Sequence, residues 1–484
     1  MNRRDFSKTA IFGMGGLAAI PKRGHSQSSR GTYTEPAKEV PVRHVDVVVA
    51  GGGSAGLVAA IAAARQGAKT LLIEAKGYTG GTIVEGGTAI HSYYNIWKAF
   101  PGVEKRQVVQ GIATEIIDEL LKIGGTTGYP EMEKGYDYDS VCTAIDTELY
   151  KLVTMTMLDN AGVHMALNTW MADVIMENNR VVGVLAESHS GREAIMATSF
   201  VDCTAYGDLA VRAGANFTVP NDYPVCNAMG VANVSMDKYY KFLNKYDAVD
   251  QYCEGPRSGD DGEIIRLSGR HVKLPPAFEE RRREIDMHTT TTTVHDNYFM
   301  FIKCNYRLPF LPTDRDGVSK AELLIRKNQK KAVELFREFV PGCEKAFIAR
   351  TSPSLNTRRA RYIECDYDIK FEDVVNARHF DDDVAVYGYH SKAPRVQIKN
   401  GGTYGIPYRA LIVKGLENVF VSGQMITSDQ RAHFSTFSVS CCQAQGQASG
   451  TAAALCAQKN GGSRELNYGV LRDALVKGGV YFES

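Results

Sequence analysis

The stretch from His44 to Glu74 constrains this chain more than any other. His44-Val45-Asp46-Val47-Val48-Val49-Ala50 is a β-branched run that reads as a buried parallel strand. Gly51-Gly52-Gly53-Ser54-Ala55-Gly56 follows at once, and an Ala-rich helical stretch runs from Leu57 to Gln66. Gly67 stops that helix, and Lys69 to Ile73 returns as a second strand ending in Glu74. This is the full βαβ context that a G-x-G-x-x-G dinucleotide fingerprint requires, with Gly51, Gly53 and Gly56 in the three glycine places. Gly51 permits the tight turn, Gly53 lets backbone approach a pyrophosphate, and Gly56 lets helix and strand pack closely. Ser54 and Ala55 then open a helix whose free N–H groups face the phosphates. Glu74 stands where a carboxylate accepts both hydroxyls of an adenosine ribose.

The rest of the chain is large enough to surround such a unit. It has 484 residues, 44% apolar and 23% charged, which suffices for two large cores. Its 56 Lys and Arg against 55 Asp and Glu leave a net charge of +1, without the basic excess that phosphate neutralisation along a nucleic acid needs. Ten cysteines contain no Cys-x-x-Cys pair, so zinc-ribbon, ferredoxin-like and thioredoxin-like readings lack ligands, and no metal site is expected. Adjacent Cys441 and Cys442 read as two small buried hydrophobes rather than a vicinal disulfide.

The βαβ unit alone leaves NAD and FAD open. Glu74 leads through Ala75 into Gly80-Gly81-Thr82 and on to Gly86-Gly87, a glycine-paired loop that lets backbone run along a ribityl chain and an isoalloxazine edge. Far downstream, Asn418 to Gln424 reads as a strand ending in Gly423, and Gln443 to Gln458 as an Ala-rich helix. The N-terminus of that helix suits the flavin edge where negative charge collects on reduction.

With these landmarks, the chain from about Val45 to Gln458 resembles the FAD-dependent oxidoreductase family that sits near the heterodisulfide reductase-like and fumarate reductase-like flavoproteins. The matching residues are Val49 to Gly56, Phe200 to Ala210, Arg358-Arg359, Ile406 to Ile412 and Gly446 to Gly450. Tyr206 departs from the small or acidic residue usual in the family, and Leu355-Asn356 replaces its Arg-Glu. The resemblance implies non-covalent FAD, since no His stands near Gly80, and it excludes dithiol chemistry, since Thr82 to His91 contains no Cys. It further implies that backbone near Met171 meets the adenine and that the Arg358-Arg359 pair lies close to the flavin. Ala432-His433 falls at the isoalloxazine in relatives, and His433 is expected to exchange a proton with a substrate hydroxyl at a pKa near neutrality. Arg431, Arg358 or Arg359 would orient a substrate oxygen, although a structural ion pair explains the Arg pair as well. His91, Tyr93 and Tyr94 are reserve candidates for the same face.

In the middle of the chain, Asp139 to Asn160 has helical spacing, and strands over 165–176, 181–188 and 193–201 form a meander. A helix is expected from about Ser319 to Phe339, and the run Met287 to His295, with its five threonines, as one strand of a cap sheet. At the start, Arg3-Arg4 before Phe6, with a glycine-containing apolar stretch from Thr9 to Ile20, resembles a twin-arginine export signal. That route carries folded proteins, which suits a cofactor bound before export.

The expected fold is therefore α/β: a Rossmann-like, glutathione-reductase-like FAD-binding domain with an inserted α+β substrate/cap domain. The divisions are 1–40 for signal and tether, 41–215 and 401–484 for the two parts of the FAD-binding domain, and 216–400 for the cap. The expected activity is hydride transfer between flavin and a small polar substrate, sugar-like or hydroxy-acid-like. The partners are a small-molecule substrate, an unidentified electron acceptor or donor and the export machinery, with a periplasmic location. A fumarate- or enoate-type reductase, or a flavin electron relay without a small substrate, is the alternative.

Overall fold

Val42–His44 (β1) and the apolar run Val47–Ala50 (β2) open the fold. A computed structural model describes residues 32–135, 140–257, 263–391, 396–426 and 428–483, so the export motif at residues 1–31 lies outside the described residues. Residues 40–484 form one contact unit, and residues 32–39 contain no helix or strand.

The chain runs from β2 into Ser54–Arg65 (α1), Thr70–Ile73 (β3) and the short Thr82–Gly86 (α2). Thr147–Asn160 (α3) starts later than its apolar spacing suggests, because Asp146 caps it by accepting from the Glu148 and Leu149 N–H groups. His164–Ala166 (β4), Trp170–Glu177 (β5), Arg180–Ser188 (β6), Gly191–Met196 (β7) and Ser199–Asp202 (β8) follow. The expected meander is present in β5, β6 and β7, but β8 leaves it for the parallel sheet. All four residues of β8 are buried, as a strand covered on both faces requires.

A second layer begins with Val225–Ala232 (β9) and continues through Met287–His288 (β10), Tyr298–Tyr306 (β11), Arg315–Phe339 (α4) and Phe347–Thr351 (β12). The chain returns through Val419–Val421 (β13) to Gln430–Thr436 (α5) and Val439–Lys459 (α6). The parallel sheet has the order β13-β8-β2-β3-β4, and the second layer's sheet the order β10-β11-β9-β12.

Two large apolar cores result. The first gathers β2, α1, β3, β8, β13 and α6. Of the segment 216–400 expected on the substrate side, residues from Val225 to Leu355 build the second core, whereas Ile363, Val384, Tyr387 and Ile398 pack into the first. The threonine run does not form one strand. Met287–His288 pairs with β11, and Thr291–Thr292 pairs with the separate strand Ile264–Gly269. The threonines are drawn inward instead: Thr289 Oγ1 donates to the Gly269 carbonyl at 3.3 Å and Thr292 Oγ1 to the Gly87 carbonyl at 3.3 Å.

Candidate active site

The glycine turn after β2 has three different local causes. Gly51 adopts φ +97°, and a Cβ there would lie 2.4 Å from the Cys203 carbonyl oxygen. A Cβ at Gly56 would lie 1.8 Å from the Gly51 carbonyl oxygen, so this residue sets how closely α1 approaches β2. A Cβ at Gly53 would meet no atom within 4 Å. Gly53 is also the N-cap of α1 and contributes no side-chain bond, leaving the Ser54 and Ala55 end of the helix to backbone N–H groups. Open space beside an uncapped helix start is the cradle a pyrophosphate fits.

Glu74 closes one side of this cradle. Its Oε2 accepts from the Gly52 N–H at 2.6 Å and its Oε1 from the Lys76 N–H at 2.8 Å, while burial raises its pKa. Ala75 beside it is exposed. The Gly80 N–H donates to the Gly52 carbonyl at 2.9 Å, so the loop after β3 lies directly across the first glycine turn. Gly80 at φ +114° and Gly81 at φ +51° permit that crossing, and exposed Thr82 starts α2. Met171 is buried in β5, near Thr169, whose N–H donates to the Glu74 carbonyl at 3.0 Å. Gly423 follows β13 at φ +111° and donates to Gln445 Oε1 of α6 at 2.8 Å. The cradle, Glu74, the Gly80-Gly81-Thr82 loop and Gly423 thus lie at the carboxyl ends of the parallel strands β2, β3 and β13.

The candidate catalytic residues are not brought together as a set. His433, on α5, is fully buried against Tyr223 and Phe437 at ring distances of 5.5 and 5.0 Å. Its Nε2 donates to the Arg358 carbonyl at 3.1 Å, which assigns the proton to Nε2, and its Nδ1 has no hydrogen-bond partner among the described residues. Burial, then the Arg359 and Arg358 charges, lower its pKa to about 3. The expected near-neutral pKa is therefore corrected: His433 is a neutral imidazole with an acceptor nitrogen.

Arg359 is committed elsewhere. Its guanidinium donates to Asp222 at 2.6 Å and lies 3.9 Å over the Tyr362 ring. Arg358 has no carboxylate partner among the described residues and rests 5.9 Å from the Phe437 ring centroid. Arg431 is exposed and stacks 3.4 Å over Phe371, apart from the Arg358–His433 contact, so its expected grip on a substrate oxygen has no support in its contacts. Tyr93 is buried and donates to Gln443 at 3.3 Å, a packing role, and His91 Nδ1 lies 3.2 Å from the Val141 carbonyl. Cys441 and Cys442 are buried free thiols, as expected. Among the described residues no group of His, Cys, Asp and Glu is arranged to hold a metal.

Several residues around this site carry no strong sequence signal. Lys303 on β11 is the one charge in the nine-residue strand Tyr298–Tyr306, and that isolated charge is the signal available for it. Lys76 pairs with Glu85 beneath the loop. Arg350 and Ser352 tie the second sheet to the end of α2. Arg350 donates to the Val84 and Glu85 carbonyls at 3.2 and 3.0 Å, and Ser352 to the Glu85 carbonyl at 2.5 Å.

A parallel sheet with this cradle at the carboxyl end of its central strand defines a dinucleotide-binding protein. The sequence model of the FAD dependent oxidoreductase family matches residues 46–475, and the chain belongs to that family. The cradle fits the pyrophosphate of the FAD that this family uses. Among curated proteins it is similar to thiamine thiazole synthase of Pyrococcus horikoshii, 30% identical over 174 residues that cover 34% of this chain and 58% of that protein. The Pyrococcus abyssi counterpart is 32% identical, with 29% of this chain and 46% of that protein covered, so the chain spans about half the length of these two relatives. The Pyrococcus furiosus counterpart is 31% identical over 248 residues, covering 48% of this chain and 87% of that protein. Among solved structures, a geranylgeranyl bacteriochlorophyll reductase-like protein of Thermoplasma acidophilum aligns with 90% of this chain and 83% of that one, at 12% identity and a TM-score of 0.47.

Proposed function

We propose that this oxidoreductase acts on a small organic acid, of the hydroxy-acid type, held by Arg358 beside His433. The carrying observation is the Arg358 guanidinium, which lacks a carboxylate partner among the described residues although Arg359 next to it has one. A partly desolvated guanidinium without a counter-charge favours an anionic ligand, and its planar fork matches a carboxylate. This argues against a neutral sugar-like substrate. His433 Nδ1 accepts a hydrogen bond from the substrate hydroxyl, and a carboxylate on Arg358 offsets part of the positive field that depresses the imidazole's basicity.

FAD, when bound, supplies the two-electron acceptor or donor. Gly51, Gly53 and the α1 N-terminus hold its pyrophosphate, Glu74 its ribose, and the Gly80-Gly81-Thr82 loop and Gly423 the remainder. Met171 is the assigned adenine contact. The second layer, residues 225–355, forms the substrate side as an inserted cap.

The test is anaerobic titration of the purified yellow protein with hydroxy acids, polyols and amino acids, followed by enoates added to the reduced protein. Bleaching by a hydroxy acid is the expected result. Reoxidation by an enoate alone would reverse the direction and favour a fumarate- or enoate-type reductase. Response only to polyols would remove the anionic substrate, and response to none would favour an electron relay. An external electron partner completes turnover in either direction. We place the protein in the periplasm, delivered by the twin-arginine route, on the strength of Arg3-Arg4 and the apolar stretch behind them.

A further inference from the structure

Strand alternation gives β11 two distinct faces. Ile302 and Cys304 pack into the second core with Ile325, Ala332 and Phe336 of α4. Phe301, Lys303 and Asn305 therefore occupy the opposite face. The register sets Ala228 of β9 and His288 of β10 directly across from Lys303, and Cys226 across from Asn305. At that end of the sheet Cys226 exchanges both backbone hydrogen bonds with Asn356, at 3.1 and 2.7 Å. The chain then reaches Arg358 two residues later. The sheet face that carries Lys303 is thus continuous with the segment that carries the proposed substrate arginine.

Lys303 is unmatched in charge. Its ammonium lies 5.8 Å from the Phe301 ring centroid and has neither a hydrogen bond nor a carboxylate partner among the described residues. The charged and titratable groups that act on it are Arg358, Cys226, Asp286 and Arg266, with His288 opposite. Asp286 is exposed, and Arg266 is a buried cation. His288 is held neutral, its pKa pushed to about 2 by burial and then by Lys303, and it shares a 2.7 Å hydrogen bond with Asn305. Burial and the Arg358 charge bring the Lys303 pKa down to about 8. Two half-buried cations that each lack a counter-charge call for negative charge from outside the chain. One carboxylate would leave one of them unmatched.

We propose that Lys303 is a second substrate-binding residue of the flavin site, and that the preferred substrate carries two anionic groups, one received by Arg358 and the other by Lys303. This rests on the organic-acid reading above, and it adds that the acid is a dianion. Lys303 sets specificity at the far end of the substrate, while Arg358 and His433 hold the reacting end.

The flavin absorbance of the holoenzyme reports binding of unreactive probes: malonate, acetate and the neutral malonamide. Malonate should bind roughly 10- to 100-fold more tightly than acetate, the ratio a charge-assisted hydrogen bond commonly supplies. Lys303→Gln should erase that advantage and leave acetate binding unchanged, whereas Arg358→Gln should weaken both acids. Malonate affinity in the parent should fall as pH rises through about 8, because Lys303 loses its proton there, and Lys303→Arg should abolish that fall. Equal binding of malonate and acetate, or a malonate advantage that survives Lys303→Gln, overturns the proposal while leaving the organic-acid reading intact. Binding of malonamide alone removes both. Should Lys303→Gln fail to load flavin, the pH profile of Lys303→Arg decides: an unchanged fall above pH 8 rejects the role of Lys303.

Discussion

Gly53 and Gly56 show how two glycines of one fingerprint differ. A Cβ at Gly53 meets open space, so Gly53→Val should leave thermal unfolding of the flavin-free protein nearly unchanged while abolishing FAD loading. A Cβ at Gly56 would stand 1.8 Å from the Gly51 carbonyl oxygen, so Gly56→Ala should destabilise the protein itself by about 1–3 kcal/mol. Flavin content and the melting temperature, measured on both variants, separate the two roles. A Gly53 variant that kept its flavin would contradict the cradle assignment. His433 makes a pH prediction at the same scale. Its folded pKa, about 3, lies below the ordinary 6.5, so the unfolded chain binds a proton first and stability falls as pH drops from about 6.5 towards 3. At pH 5 this amounts to about 2 kcal/mol relative to neutral pH. His433→Gln should flatten that part of the stability profile in urea titrations at pH 5 and 7. An equal loss in both proteins would show that the imidazole titrates freely.

At the scale of elements, α2 depends on a neighbour distant in sequence. It is five residues long, and its Val84 and Glu85 carbonyls are received by Arg350 and Ser352 of the second layer. Arg350 also binds the Met300 carbonyl at 3.1 Å. Arg350→Ala should cost about 2–4 kcal/mol through these unsatisfied carbonyls, and it should speed flavin release, since α2 follows Gly80-Gly81-Thr82. A stopped-flow release rate equal to that of the parent would confine Arg350 to stability. The βαβ unit is legible in sequence because its signals are local: positive φ at Gly51, apolar strands, and a helix without a side-chain cap. The threonine run is not, because two of its hydroxyls, those of Thr289 and Thr292, find their acceptors at the sequence-distant Gly269 and Gly87 carbonyls. The same holds within the Arg pair. No local pattern tells that Asp222 reaches Arg359 and that no carboxylate among the described residues reaches Arg358, and the isolated Lys303 gains its meaning only from the register that aligns it with His288.

For the whole molecule, one core carries the FAD-binding frame and a second core the other layer, and the proposed export motif precedes both in sequence. Changing both Arg3 and Arg4 to lysine should leave folded, flavin-loaded protein in the cytoplasm, as cell fractionation with flavin fluorescence would show. Normal export of that variant would remove the twin-arginine assignment. The frame closes where α6 lies on α1: a Cβ at Gly446 would come 2.2 Å from the Ala55 carbonyl oxygen, and one at Gly450 2.1 Å from that of Ala59. Because α1 ends at Arg65 and α6 begins at Val439, a ribosome releases α1 long before α6 exists. During most of translation α1 can pack on β2 and β3 but lacks the helix that covers its other side, so the nascent chain has only part of the proposed flavin site. Cofactor capture is thereby a late event of biogenesis, set by arrival of the C-terminal helix, and a chain truncated before Val439 should emerge from the ribosome colourless.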